Sequence, residues 1–268
     1  MQQGVSDRIV PPIKRPILEI KGLYLPIAVT VIVELAVYFG LVSKTLLPPP
    51  SEIARTLYDL ALGPLWKHIG FSTMRVFTGF VIGAGLGTAA AMIVGLSRNA
   101  EKLLDPSFQG LRAIPSLAWV PLLLLWLGID ESSKIAMIAI GGFFPVYLSV
   151  LAGIRNVDRK LIEVGEMYGF SQAELAQRIF LPAAMPYLFT GLRTGLSVAW
   201  MFLVAAELLA ATKGVGYLLT DGRETSRPDT VLAAIIVLAL LGKFSDGILK
   251  SLETRSLVWR DSMESRIQ

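Results

Sequence analysis

Polar residues are bunched along this chain, and the stretches between them are apolar over lengths that a lipid bilayer sets. A hydrocarbon core about 30 Å thick needs roughly 20 apolar helical residues to cross it. Residues 25–42 are apolar apart from Thr30 and Glu34, and residues 71–96 carry one charge, Arg75. Residues 111–129 carry only Arg112, residues 135–151 carry none, and residues 187–211 contain Arg193 and Glu207. A sixth run, 230–241, reaches spanning length if its helix continues to residue 249 through Lys243 and Asp246, which share a helical face and can pair. The pattern predicts an all-α polytopic membrane protein with six transmembrane helices. The alternative, six buried helices of a soluble protein, leaves too little polar sequence for a shell around them. A cleaved signal peptide is the competing reading of the first run, but that run exceeds the usual apolar core and no small-x-small cleavage site follows it.

The chain divides into a polar lead over 1–24, a transmembrane domain over 25–249 and a tail over 250–268. With the N-terminus inside, the inside segments hold about twice as many Lys and Arg residues as the outside ones. Both termini are therefore expected in the cytoplasm. Pro48, Pro49 and Pro50 stop the first helix, and Ser51 is placed to cap a short amphipathic helix over 51–60. Gly79, Gly83 and Gly87 recur every four residues along one side of the second span, where a neighbouring helix can approach closely. Pro115 and Pro121 fall in the third run, and each removes a backbone donor and predicts a kink.

Composition narrows the chemistry. The chain has 268 residues, 53% hydrophobic and only 17% charged, which excludes a disordered chain. With no Cys and a single His, His68, it has no thiolate metal site, no Cys nucleophile and no His cluster. The net charge of +4 is distributed as a topology signal, so no nucleic-acid partner is expected. The longest inside loop, 155–186, reads as a polar helix, a Gly, a second helix and then prolines that open the next span. Its carboxylates at Glu163, Glu166 and Glu174 have no His or Cys beside them. A protruding helix–turn–helix therefore fits better than an acid–base site.

At this loop the chain resembles the permease subunits of binding-protein-dependent ABC importers. Their motif is Glu-Ala-Ala, three residues, Gly, nine residues, then Ile-x-Leu-Pro. Here Glu163 takes the Glu position, Val164 and Gly165 replace the alanines, Gly169 follows, and Ile179, Leu181 and Pro182 complete the spacing. Residues 47–52, 95–98, 111–115, 191–193, 204–207 and 214–218 are similar to the nitrate, sulfonate and taurine branch. Residues 128–135 and 239–243 are most similar to aliphatic-sulfonate permeases.

The resemblance implies a type I ABC importer (MetI-like) transmembrane fold in the bacterial inner membrane. Two permease copies would sit in lipid with two ATPase subunits and an external solute-binding protein. ATP and Mg would belong to the ATPase, since this chain has no phosphate-binding loop and no cofactor of its own. It also implies a coupling helix over roughly 161–171 that docks on the ATPase. Glu163 would cap or pair there, Gly169 would allow the turn, and Ile179, Leu181 and Pro182 would anchor the loop. Nitrate, taurine and thiamine-precursor permeases look similar. An ATP-independent secondary carrier and a membrane enzyme are the alternatives from other classes; no internal repeat supports the first, and no catalytic cluster supports the second.

Charges inside spans are costly and each needs a reason. Arg75 and Arg112 lie near span ends and can snorkel to headgroups, as can Arg193. Glu207 can pair with a Lys or Arg, and Glu34 can form an interhelical hydrogen bond or an ion pair. The functional reading gives Arg112 or Arg193 a positive field for an anion in the pathway, with Glu207, Trp119, Trp126, Ser197 and Trp200 as further lining candidates. For the tryptophans and Ser197, helix packing or the membrane interface is the preferred account.

Overall fold

The computed structural model describes residues 24–115 and 118–257, and among these the chain forms helices and no strands. The polar lead up to residue 23 and the tail from 258 lie outside the described residues. In chain order the helices are α1 (Tyr24–Tyr38), α2 (Pro50–Leu62), α3 (Leu65–Leu96), α4 (Arg98–Ala113), α5 (Trp119–Leu127), α6 (Glu131–Arg155), α7 (Arg159–Met167), α8 (Gln172–Leu175), α9 (Leu181–Ala210), α10 (Val215–Glu224) and α11 (Pro228–Ser256). A wide π turn, Ala176–Phe180, joins α8 to α9 without a break.

Among the described residues, four helices are long and apolar enough to cross a membrane: α3, α6, α11 and the continuous helix that ends in α9. The 32 residues of α3 extend about 48 Å at 1.5 Å per residue. The first expected span is shorter, with 15 residues in α1.

The third expected span is not one helix. α4 ends at Ala113, Ile114 turns extended at φ −69° and ψ 125°, and α5 begins at Trp119. Pro115 explains this, because its ring disfavours helical backbone in the residue before it; the result is a break rather than a kink. Pro121 sits in the first turn of α5, where no intrahelical donor is lost. The segment between the second and third expected spans is the amphipathic α4, opened by Ser97, whose hydroxyl accepts from the Ala100 amide. The sixth span runs past residue 249, so the start of the expected tail, 250–256, is helix as well.

Apolar side chains cover much of the outside of α3, α9 and α11, including Phe77, Met201, Leu240 and Phe244. In lipid such exposure costs nothing, and helices associate through close packing rather than through exclusion of water. The glycines supply that packing. A Cβ on Gly79 would fall 2.7 Å from Ile138 Cβ, and one on Gly87 would fall 2.6 Å from the Phe143 carbonyl oxygen. At Gly83 it would collide with the Ala139 carbonyl. The stripe is thus the surface on which the backbone of α3 lies against that of α6. On its other side α6 takes α9 the same way, with Gly191 and Gly195 against Val146 and Gly142. Val146, Tyr147, Val150 and Ile154 of α6 form the centre of the main core, between Phe80 and Val94 of α3 and Leu196 and Leu203 of α9.

One end of this three-helix core is locked by charge. Arg75 of α3 is 4% exposed, so it does not snorkel. Its Nε and Nη2 donate to the Glu131 carboxylate at 2.6 Å each, and its Nη1 donates to Glu207 Oε1 at 2.6 Å. Glu207, 1% exposed, also accepts from the Ser72 hydroxyl at 2.8 Å and the Gly216 amide at 2.7 Å. The N-terminus of α10 therefore points the Gly216 amide at a carboxylate, which the helix dipole favours. The pairing expected of Glu207 is met by Arg75.

At the same end, Asp229 of α11 accepts from the Thr56 hydroxyl of α2 and from Arg227, both at 2.7 Å. Glu34 of α1 accepts from the Ser51 hydroxyl at 2.7 Å and amide at 3.0 Å. Ser51 is thereby the tether between α1 and α2 rather than the expected cap; α2 starts at Pro50, with no side-chain cap.

Two outcomes follow. Gly83→Leu should destabilise the fold by about 3 kcal/mol or more, since the clash is with backbone; thermal unfolding in detergent measures it. Glu207→Gln replaces a buried carboxylate that accepts from Arg75, Ser72 and Gly216 and leaves Arg75 paired with Glu131 alone; it should cost about 2–3 kcal/mol and weaken assembly while leaving substrate preference unchanged. Uptake competition on the reconstituted complex checks the second part.

Candidate functional site

At the end of the core opposite Arg75, the chain leaves α6 and returns as α9 through a compact projecting loop. Asp158 opens α7, its carboxylate accepting from the Lys160 amide at 2.9 Å. α7 stops at Met167, so residues 168–171 of the expected coupling helix are the turn instead. Gly169 has φ +75°, the left-handed conformation that glycine adopts without steric cost. Its amide donates to Glu166 O at 2.9 Å, and the Phe170 amide donates to Gly165 O at 3.1 Å. Ser171 and Glu174 then form a reciprocal capping box that starts α8.

The returning limb folds back on α7 at Gly165. A Cβ there would fall 2.6 Å from both Ile179 Cδ1 and Leu175 Cδ2, so these two side chains occupy the space that the resembled motif gives to an alanine. Leu161, Val164, Gly165, Tyr168, Ile179 and Pro182 line a shared groove of about 470 Å³. Val164, Gly165, Ile179 and Pro182 of the motif are thus brought together. Glu163, Gly169 and Leu181 are not in the groove; Glu163 accepts from Arg159 Nε at 3.0 Å one turn away, and Leu181 begins α9. The outward side of the loop is apolar and open, with Met167 88% and Tyr168 78% exposed.

The loop stands beside a second set of ties. Arg155, the last residue of α6, donates to Glu101 of α4 at 2.6 Å and lies 3.4 Å from Asp105. The Tyr147 hydroxyl donates to Asp105 at 2.7 Å. That hydrogen bond and the Arg155 guanidinium hold the Asp105 carboxyl below its ordinary range. The Phe108 ring packs against Phe143 and Tyr147, centroids 5.6 and 4.9 Å away. α4 has no fully buried residue; these contacts, together with Leu104 against the main core, hold it across the end of the core.

Two adjoining cavities run along α9. The first, about 540 Å³, is lined by Arg112, Trp119, Ile140, Phe144, Val198 and Phe202, among others. The second, about 640 Å³, is lined by Thr190, Arg193, Thr194, Ser197, Met201 and Asp246, and shares Thr194 and Val198 with the first.

The pathway candidates therefore separate. Arg112 and Trp119 share one cavity, and Arg193 and Ser197 the other. Arg193 donates to both Asp246 oxygens at 2.8 and 3.1 Å and to Glu253 at 3.4 Å. Its field is matched by two carboxylates, and Asp246 is consumed by this interhelical pair rather than by Lys243. Trp200 lies in neither cavity; its indole N–H donates to Ser245 Oγ at 2.9 Å. Glu207 is buried in the Arg75 cluster and also lies in neither. Trp126 is exposed.

Sequence reasoning overlooked Glu131, Glu101, Asp105 and Glu253. Only Asp246 and Glu253 carried a signal, a spacing of seven that puts both on one face of α11.

The comparisons with known proteins agree with this architecture. Residues 79–258 match the family model described as "Binding-protein-dependent transport system inner membrane component". A Bacillus subtilis protein provisionally named as the aliphatic sulfonates transport permease SsuC is 44% identical over 91% of this chain and 89% of its own length. Its Escherichia coli namesake is 41% identical over 92% of this chain and 95% of its own length. The taurine transport system permease TauC of Escherichia coli is 36% identical over 84% of both chains. A family match over most of the transmembrane helices, with relatives this similar along nearly the whole length, establishes that this chain belongs to the inner membrane components of binding-protein-dependent transport systems.

Proposed function

We propose that this chain is the permease of an ATP-driven importer of small aliphatic sulfonates, working as a pair of copies in a bacterial inner membrane. A solute-binding protein delivers substrate at the Arg75 end. Two ATPase subunits, which carry ATP and Mg, grip the loop between α6 and α9 at the cytoplasmic end. The observation that carries the substrate class is that two relatives named for aliphatic sulfonates match over nine-tenths of the chain, at 44% and 41% identity against 36% for the taurine permease. The Lys and Arg bias supports cytoplasmic termini.

The geometry supports the coupling role. The loop offers apolar side chains, Leu161, Val164, Met167 and Tyr168, about half exposed or more. Beyond the hydrocarbon core, where water replaces lipid, such a patch suits a protein partner. α7 is held to the limb that becomes α9, so force on the loop reaches the cavity-lining helix directly. Alternating exposure of the cavities then follows from rocking of one bundle against its copy.

In proteoliposomes holding this chain with its ATPase and binding protein, ATP should drive uptake of ethanesulfonate. Other alkanesulfonates should compete, while nitrate should not; nitrate uptake in place of sulfonate would overturn the substrate class. Gly169→Val forces a β-branched residue into left-handed backbone, a strain of about 1–3 kcal/mol. It should reduce ATP-dependent uptake or ATPase association at least about tenfold while membrane insertion persists. Uptake and co-purification assays measure this.

A further inference from the structure

We infer that the cavity between α4, α5, α6 and α9 is a transit site for the sulfonate itself, with Arg112 holding the charged head and the α6–α9 wall holding the alkyl chain. The inference rests on the sulfonate reading above and adds to it a place and a selecting residue. The cavity lies against residues 140–149 of α6, from its middle toward the loop end, and Arg112, itself exposed, borders it; an unpaired cation in a membrane protein calls for a ligand or an aqueous path. Arg75 and Arg193 are both tied to carboxylates. Arg112, among the described residues, has neither an ion-pair partner nor a hydrogen-bond acceptor for its guanidinium.

The remaining wall sorts the ligand further. Ile140, Phe144, Leu148, Val198 and Phe202 are apolar. The two hydroxyls present are already committed, Ser149 donating to the Tyr187 carbonyl at 2.7 Å and Thr194 to the Thr190 carbonyl at 2.9 Å. One cation facing an apolar surface matches an anion with a short hydrocarbon tail better than a compact inorganic anion, which would leave the apolar wall unused. A volume of about 540 Å³ is within the ordinary range of small-molecule sites. Loss of a charged hydrogen-bond donor to a bound anion weakens its hold by roughly ten- to hundredfold.

The test uses the full complex in proteoliposomes, with methane-, ethane- and hexanesulfonate as substrates. Arg112→Gln should lose uptake of all three roughly ten- to hundredfold, and Arg112→Lys should recover much of it. Val198→Phe narrows the apolar wall and should reduce hexanesulfonate uptake several-fold more than methanesulfonate uptake. Wild-type rates for Arg112→Gln, or an unchanged chain-length profile for Val198→Phe, would overturn the site while leaving the sulfonate reading intact. If Arg112→Gln fails to assemble, the Val198→Phe profile decides alone. Failure of the wild-type complex to take up any sulfonate would instead overturn the functional reading and, with it, the occupant named here.

Discussion

The backbone of α3 lies directly on that of α6, and everything else in the fold is arranged around that approach. In a bilayer the lipid tails are as apolar as leucine, so two helices gain little by hiding apolar surface from their surroundings. They gain by fitting. Gly79, Gly83 and Gly87 remove the side chains that would hold the helices apart, and the pairing of α6 with α9 repeats the device with Gly191 and Gly195. Because α6 touches a helix on each side, it forms the middle of the core, and the positions of α4, the loop and both cavities are all set relative to it.

The two ends of this core are built differently. At the Arg75 end, long-range ion pairs and amide–carboxylate bonds join α3, α6, α9 and α10, with Arg75 and Glu207 almost fully buried. Within the loop itself the bonds are short in sequence: the Asp158 cap, the Ser171–Glu174 box and the Arg159–Glu163 pair each lie within one turn, while Arg155 and Tyr147 tie α6 to α4 beside it. The first arrangement resists relative motion of the helices. The second keeps the loop internally rigid while leaving its open side free for a partner. A transport protein moved by an external motor needs both kinds of end.

How much of this the sequence discloses depends on whether a feature is local. The long charge-poor runs show α3, α6, α9 and α11 because an apolar run of bilayer length has few other uses. The glycine stripe and the left-handed Gly169 were legible for the same reason: each is a constraint of the backbone at that residue. Arg75 was not, because its placement depends on Glu131 and Glu207, 56 and 132 residues away. α4 was not anticipated, because the side chains that hold it, Arg155 and Tyr147 among them, come from another helix. Pro115 announced a disturbance, and the break rather than a kink follows from the extended backbone at Ile114 that its ring favours. Among the pathway candidates the letters alone could not separate Arg112 from Arg193, since the difference is the presence of Asp246 and Glu253 across the bundle.

α9 carries the end of the loop motif at Leu181 and Pro182, the cavity walls at Thr194 and Val198, and Glu207 in the charged cluster. On the coupling role proposed above, it is a lever with its fulcrum near Glu207. From that fulcrum to Leu181 is about 39 Å, and to Thr194 about 20 Å, at 1.5 Å per residue. A swing of about 10° would carry the loop end roughly 7 Å and the cavity wall roughly half as far. The stroke at the middle of the membrane is thus geared down twofold from the stroke at the motor, and the ratio is set by nothing more than the number of residues between three side chains on one rod.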